Sequence, residues 1–180
     1  LTSMKVHPDP VNLELTDPKL FDYPFLYMIE PGRLEFTDEE ITSLRRYLLN
    51  GGFLMVDDFW GEEEWFNFEN EIRRVFPDRA PEEVPLDHDI FHCVYDIKEK
   101  YQVPSIGTAL SGRTAERNAG PAHYKAIYDD EARIMVFICH NTDLGDGWER
   151  EGENEWYFHE FSEKKAYPLG INIVTYAMTH

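Results

Sequence analysis

Asp57 and Asp58 stand side by side at the end of the apolar run Phe53 to Val56. A carboxylate pair in that position can exchange protons, hold a cation or bind a polar ligand, because open α/β sheets place ligands beyond the C-terminal ends of their strands. Other candidates share the expected edge. Glu30 follows the apolar stretch 25–29, and His140, Asn141 and Asp143 follow a strongly apolar stretch ending at Cys139. Trp60 and Trp148 add aromatic surface able to hold sugars or other polar ligands, and His88 can reach the edge from the loop that follows the prolines at 77, 81 and 85.

Asp57, Asp58, His88, His92, His140 and Asp143 are also of the types that ligate divalent ions, with Asp58, His88 and His140 the candidate set. No dense ligand motif accompanies them. His88 and His92 are four apart in an irregular, proline-led context, where histidines more often anchor loops by hydrogen bonds. No cofactor is therefore expected, and a divalent metal stays an open alternative. Structural roles compete for the same residues: one of Asp57 and Asp58 can cap the helix that starts near Gly61, and the stretch 141–145 can be an Asx-type turn. Cys139 and His140 invite a nucleophile-and-base reading, but neighbours on a strand point to opposite faces. Cys139 and Cys93 are read as small core residues.

The elements that must position these groups are legible around the pair. Thr37 and Glu40 have capping-box spacing, Ile41, Leu44 and Leu48 recur at helical intervals, and Gly51 can end the helix in the left-handed conformation. The run 53–56 reads as a strand covered on both faces, and 25–29 as another. Trp65, Phe68, Ile72 and Val75 mark a core-facing helix over 62–76, whose three leading glutamates compensate its positive end and disfavour anions there. The alternation of Val11–Leu15 predicts an outer strand, and Asp17-Pro18 a turn or helix start. Residues 98–122 read mostly as loop, 123–128 and 133–139 as a β-hairpin, and the C-terminal stretch with Pro168 near its start as a helix. The acidic, aromatic stretch 148–161 reads as a long loop, either a lid or docking surface or a cover for aromatics packed beneath it.

Composition narrows the partners. With 17 basic and 35 acidic residues the formal charge is −18, which repels nucleic-acid backbones and anionic membranes. A small polar molecule or a protein partner is expected instead. No apolar run approaches the ~20 residues that cross a bilayer. Two cysteines among 180 residues make no disulfide framework, and 42% hydrophobic content suits one globular domain over 1–180. The chain opens at Leu1 without an initiator methionine or signal-like segment, and is read as a trimmed fragment.

Taken together, LRRYLLNGGFLMVDDF, LDHDIFHCVYDI, the strand running into CHNTDLGDGWE, and AYPLGINIVTYAMTH resemble an uncharacterised bacterial family, domain of unknown function 4159. Its members look like relatives of the class I glutamine amidotransferase and ThuA-like group. The stretch 87–90, Asp-His-Asp-Ile, is similar to the Asp-His-Pro-Ile of that group, with Asp89 in place of proline. The resemblance implies a flavodoxin-like three-layer sandwich with a mostly parallel sheet, missing the strand and helix that usually precede this point, and an exported or envelope location, with a cytoplasmic one open. An amidotransferase of this kind needs a cysteine on a sharp strand-to-helix turn. The equivalent turn here carries Asp57-Asp58-Phe59. The expectation is a ligand-binding or interaction module without glutaminase activity; the alternative is a hydrolase or metal-dependent enzyme built on a carboxylate and a histidine.

Overall fold

The computed structural model describes residues 9–180, which form an open five-stranded sheet with helices on both faces. Strands β1 (Phe25–Ile29), β2 (Phe53–Phe59), β3 (Glu82–Glu83), β4 (His123–Tyr128) and β5 (Ile134–His140) are ordered β1-β2-β5-β4-β3. β1, β2 and β5 run parallel, whereas β4 is antiparallel to β5 and β3 antiparallel to β4. The sheet is thus mixed, not mostly parallel. The reason lies in the connection: only Asp129–Arg133 separates β4 from β5, far too few residues for the crossover a parallel pair needs. Asp129 pins that turn by accepting the N–H groups of Glu131 and Arg133, both at 2.9 Å.

Helix α1 (Asp38–Leu49) starts with the expected reciprocal cap, in which Thr37 accepts the Glu40 N–H and the Glu40 carboxylate accepts the Thr37 N–H. It ends at Asn50, and Gly51 takes φ +98°, where a side chain would be strained. Leu44, Tyr47 and Leu48 face the sheet and meet Phe68, Ile72 and Val75 of helix α2 (Gly61–Val75). On the other face lie α3 (Ile106–Leu110), α4 (Leu144–Glu149), α5 (Glu155–Tyr157) and α6 (Tyr167–Thr179), with a π-helical stretch, Phe158–Ala166, leading into α6. β2 supplies both cores: Leu54 and Val56 pack on the α1–α2 side, Phe53 and Met55 on the α6 side.

Two further expectations differ from the fold. Val11–Leu15 is not a strand; its end is held by α1, where the Ser43 hydroxyl donates to the Leu15 carbonyl at 2.5 Å, and Asp17 then caps a 3-10 turn at Pro18–Asp22. The stretch 148–161 is mostly helical instead of a long loop, because Tyr157 and Phe161 are drawn into the α6-side core. Tyr157 and Phe161 are packed beneath it, as the alternative of covered aromatics expects, while Trp156 remains half exposed.

Leu48 is fully buried at the meeting of α1 and the sheet. Leu48→Ala is expected to cost about 2–5 kcal/mol of stability, measured by urea titration; a negligible loss would contradict its core position.

Candidate functional site

The parallel strands β1, β2 and β5 each carry a non-glycine residue in the left-handed region at their C-terminal end: Glu30 at φ 53° just past β1, Asp58 at φ 56° one residue before the end of β2, and Asn141 at φ 60° just past β5. Such conformations cost free energy and persist only where surrounding contacts impose them. At β2 the cause is a bulge. Val56 pairs with Ile138 but Phe59 pairs with His140, so β2 carries one more residue than β5 across that interval. The extra residue changes the side-chain parity. Phe59 turns into the α1–α2 core, and Asp58 is released to the sheet's C-terminal edge. Asn141 locks the neighbouring junction, because its Oδ1 accepts the Gly61 N–H at 2.8 Å while its Nδ2 donates to the Pro121 carbonyl at 3.1 Å.

Beyond these strand ends lies a crevice of about 550 Å³. Its wall includes Glu30, Asp58, Trp60 and Asp143, and also Arg33, Glu64, Ser105, Glu116, Arg117, Asp146 and Arg150. Asp58 Oδ1 accepts the Trp60 indole N–H at 3.1 Å. Burial, with Glu116, Glu30 and Asp146 nearby, pushes its pKa up to about 6. Asp143 is 5% exposed; its Oδ1 accepts the Asp146 N–H at 2.8 Å, capping α4. Burial and then the charge of Asp58 push its pKa up to about 9. Glu64 pairs with Arg117, and Asp146 with Arg150.

Asp57 points to the opposite face from the α1–α2 core and is fully buried. Its Oδ2 accepts the Tyr27 hydroxyl and the Gly145 N–H, both at 2.9 Å, and its Oδ1 has no hydrogen-bond partner among the described residues. Burial pushes its pKa up to about 7 despite these donors. Tyr27 is pushed upward too, by burial and by Asp57. Gly145 is required by the close approach, since a Cβ there would lie 2.7 Å from the Tyr27 hydroxyl oxygen.

The remaining sequence candidates lie elsewhere. His140 packs with its ring tilted against Phe59 and Trp65 on the α2 side, its Nε2 is 3.1 Å from the Gly61 carbonyl, and burial pushes its pKa down. His88 is at the far end of the sheet, against Tyr128 at the β4 end of the hairpin and Tyr176 of α6, where its Nδ1 accepts the Ile90 N–H. The triplet Asp58, His88 and His140 therefore does not converge. Trp148 packs against Tyr27 and Gly170 instead of lining the crevice. Among the described residues no three His, Cys, Asp or Glu side chains are grouped to hold a metal ion. Cys139 and His140 do face opposite ways; Cys139 is fully buried on the α6 side, where burial drives its thiol pKa well up.

Several crevice residues escaped the sequence reading. Asp146 had a signal, since Asp143 and Asp146 have the spacing of a helix cap and its third residue. Glu116 and Arg117 had none, because they sit in an aperiodic stretch and reach the crevice only through the tertiary fold.

Asp57, Asp58 and Asp143 all hold protons more tightly in the fold than free carboxyls do, so from ~4 upward these three groups bind more protons in the folded chain than in the unfolded one, while His140 and His88, pushed down by burial, work in the opposite sense below the ordinary imidazole range. Stability is expected to fall as pH rises through about 6, about 7 and about 9. Below ~4 the sign reverses at Asp129, which, against its partial burial, the Arg133 and Glu131 N–H groups and the Arg133 guanidinium hold below the usual range. Urea midpoints measured against pH should peak in mild acid, and Asp143→Asn should flatten the decline between about 7 and about 9.

No curated protein sequence matches this chain. Residues 1–178, nearly its whole length, match the family described as Domain of unknown function (DUF4159), and the protein belongs to that family.

Proposed function

We propose that this domain binds a small polar ligand in the crevice, on a flavodoxin-like scaffold of the glutamine amidotransferase and ThuA-like kind that lacks the nucleophilic cysteine, in a protein of the cell envelope. One observation carries the reading. Asp58, at φ 56°, sits in the bulge near the C-terminal end of β2 and opens onto a crevice of about 550 Å³. That size is in the range of small-molecule sites, and its position beyond the strand ends is where such sheets hold ligands. An aspartate at that position cannot act as the thiolate of a glutaminase. Cys139, buried with its pKa driven up, and Cys93, whose Sγ donates to the Asp89 carbonyl at 3.2 Å, are no substitutes.

A hydrolytic reading has one observation in its favour. Asp58 and Asp143 are pushed to about 6 and about 9, so near neutral pH one is largely ionised and the other protonated, as a general base and acid would be. Among the described residues no histidine lines the crevice beside them, His140 being turned into the α2 side.

Asp58→Asn is expected to preserve the urea midpoint within about 1 kcal/mol while abolishing the thermal stabilisation that a panel of polar small molecules gives the unaltered protein. No stabilisation of the unaltered protein by any member, with no molecule retained in native mass spectrometry, would overturn the proposal. No ammonia should be released from glutamine; release abolished by Cys93→Ala or Cys139→Ala would equally overturn it.

A further inference from the structure

We propose that Asp57 is a proton-operated latch on the first turn of α4: while its carboxyl is protonated the turn is held on the strand ends, and when the proton passes to solvent the turn is loosened. The first ground is how that carboxyl is bonded. Asp57 is fully buried, and its Oδ2 alone joins three elements by accepting the Tyr27 hydroxyl of β1 and the Gly145 N–H of α4, both at 2.9 Å. Its Oδ1 has no partner among the described residues. In the neutral form Oδ2 is the carbonyl oxygen, Oδ1 carries the proton, and a single hydrogen bond goes unmade. In the ionised form the same geometry is a buried charge held by neutral donors only, which is far costlier. Water at Oδ1 relieves the anion, and admitting it requires the packed turn to move off.

Nothing around Asp57 offsets its charge. The titratable groups that face it are Tyr27 on β1, Asp58 on its own strand, Cys139 on β5, Tyr124 on β4 and Asp143 at the cap of α4. Burial pushes both tyrosines and the thiol upward, so these three stay neutral, and the two aspartates add only negative charge. Burial accordingly pushes Asp57 up to about 7, although the Tyr27 and Gly145 donors pull the other way. The latch therefore turns over near neutrality.

The second ground is where α4 can give way. Leu144 is fully buried in the α6-side core, and Trp148 lies against Tyr27 and so close to α6 that a Cβ on Gly170 would meet its ring at 2.9 Å. Between these two packed anchors the chain reads Gly145-Asp146-Gly147, an acidic residue flanked by the two residues with the freest backbones. Asp57 holds the first of them. Asp146 lines the crevice, and its Oδ2 accepts the N–H of Ile106, itself in the crevice wall, at 2.8 Å. Movement at Gly145 is thus passed to Asp146 and on to the start of α3. That this movement opens the crevice to its ligand rests on the reading above; the latch itself does not.

The test is hydrogen–deuterium exchange of the whole protein without ligand, read by mass spectrometry and corrected for intrinsic chemical rates, between about pH 6 and about pH 8. Amides of 144–149 are expected to lose protection at least tenfold over that range while those of α2 keep theirs. Asp57→Asn, which preserves the shape and cannot ionise, should abolish the loss. Tyr27→Phe removes a donor that favours the ionised form and should move the loss to higher pH, which keeps the test informative if Asp57→Asn does not fold. Asp143→Asn should leave the loss in place. No loss at 144–149, an equal loss in α2, persistence in Asp57→Asn, an unshifted loss in Tyr27→Phe or its disappearance in Asp143→Asn overturns the inference. None of these measurements involves a ligand, so overturning the latch leaves the polar-ligand proposal standing, and a failed ligand panel leaves the latch standing.

Discussion

One inserted residue decides what the sheet's C-terminal edge can do. Without the bulge between Val56 and Phe59, strict alternation would send Asp58 toward the α1–α2 core and Phe59 away from it. A carboxylate among Phe68, Ile72 and Val56 would have no donors, and the crevice would lose the group at its centre. With the bulge, Phe59 completes the aromatic cluster with Trp65 and Phe68, and its burial offsets the strain at Asp58. The Asp58 N–H is still satisfied, by the Thr142 carbonyl, and Asn141 donates its N–H to the Phe59 carbonyl. The bulge is therefore stapled from the β5 side by the same residues that lead into α4.

Asp57 makes the second half of that arrangement. Its carboxyl links three elements, since Tyr27 comes from β1, Asp57 from β2 and Gly145 from α4. Burying such a group is unfavourable unless hydrogen bonds compensate it, and here one oxygen is satisfied and the other is not. What the contact supplies is placement: it sets α4 against the strand ends, and α4 is capped by Asp143 and carries Asp146. Asp57 thus holds the crevice wall without lining it, while its neighbour Asp58 lines it.

The legible parts of this fold were those governed by local rules. The Thr37–Glu40 cap, the stop at Gly51, the apolar run of β2 and the hairpin turn at Asp129 all follow from propensities acting over a few residues. The parallel pairing of β1, β2 and β5 was foreseen from buried runs, but the mixed character was missed because nothing assigned strand neighbours to the hairpin or revealed β3, two glutamates long. Among site residues, Glu30, Asp58, Trp60 and Asp143 could be placed from strand ends alone. His88 could not, since its loop runs to the other end of the sheet, and His140 could not, since the face a strand residue takes depends on register. Residues 148–161 misled because their acidic composition resembles a loop, while Tyr157 and Phe161 are anchored in the core.

The strand order has a consequence for how the chain reaches this state. The centre of the sheet is the β2–β5 pair, which joins Leu54 to Val136, whereas the β4–β5 hairpin closes over the few residues of one turn. Closing a long segment of chain loses entropy before the contacts it enables return any, so pairings of large sequence separation govern the speed of folding. The hairpin and the β1–α1–β2 unit can form as separate local pieces, and their docking along β2 and β5 is then the step that sets the rate. The bulge lies at the end of that seam, so the crevice is assembled only when the two pieces of the chain have met in register.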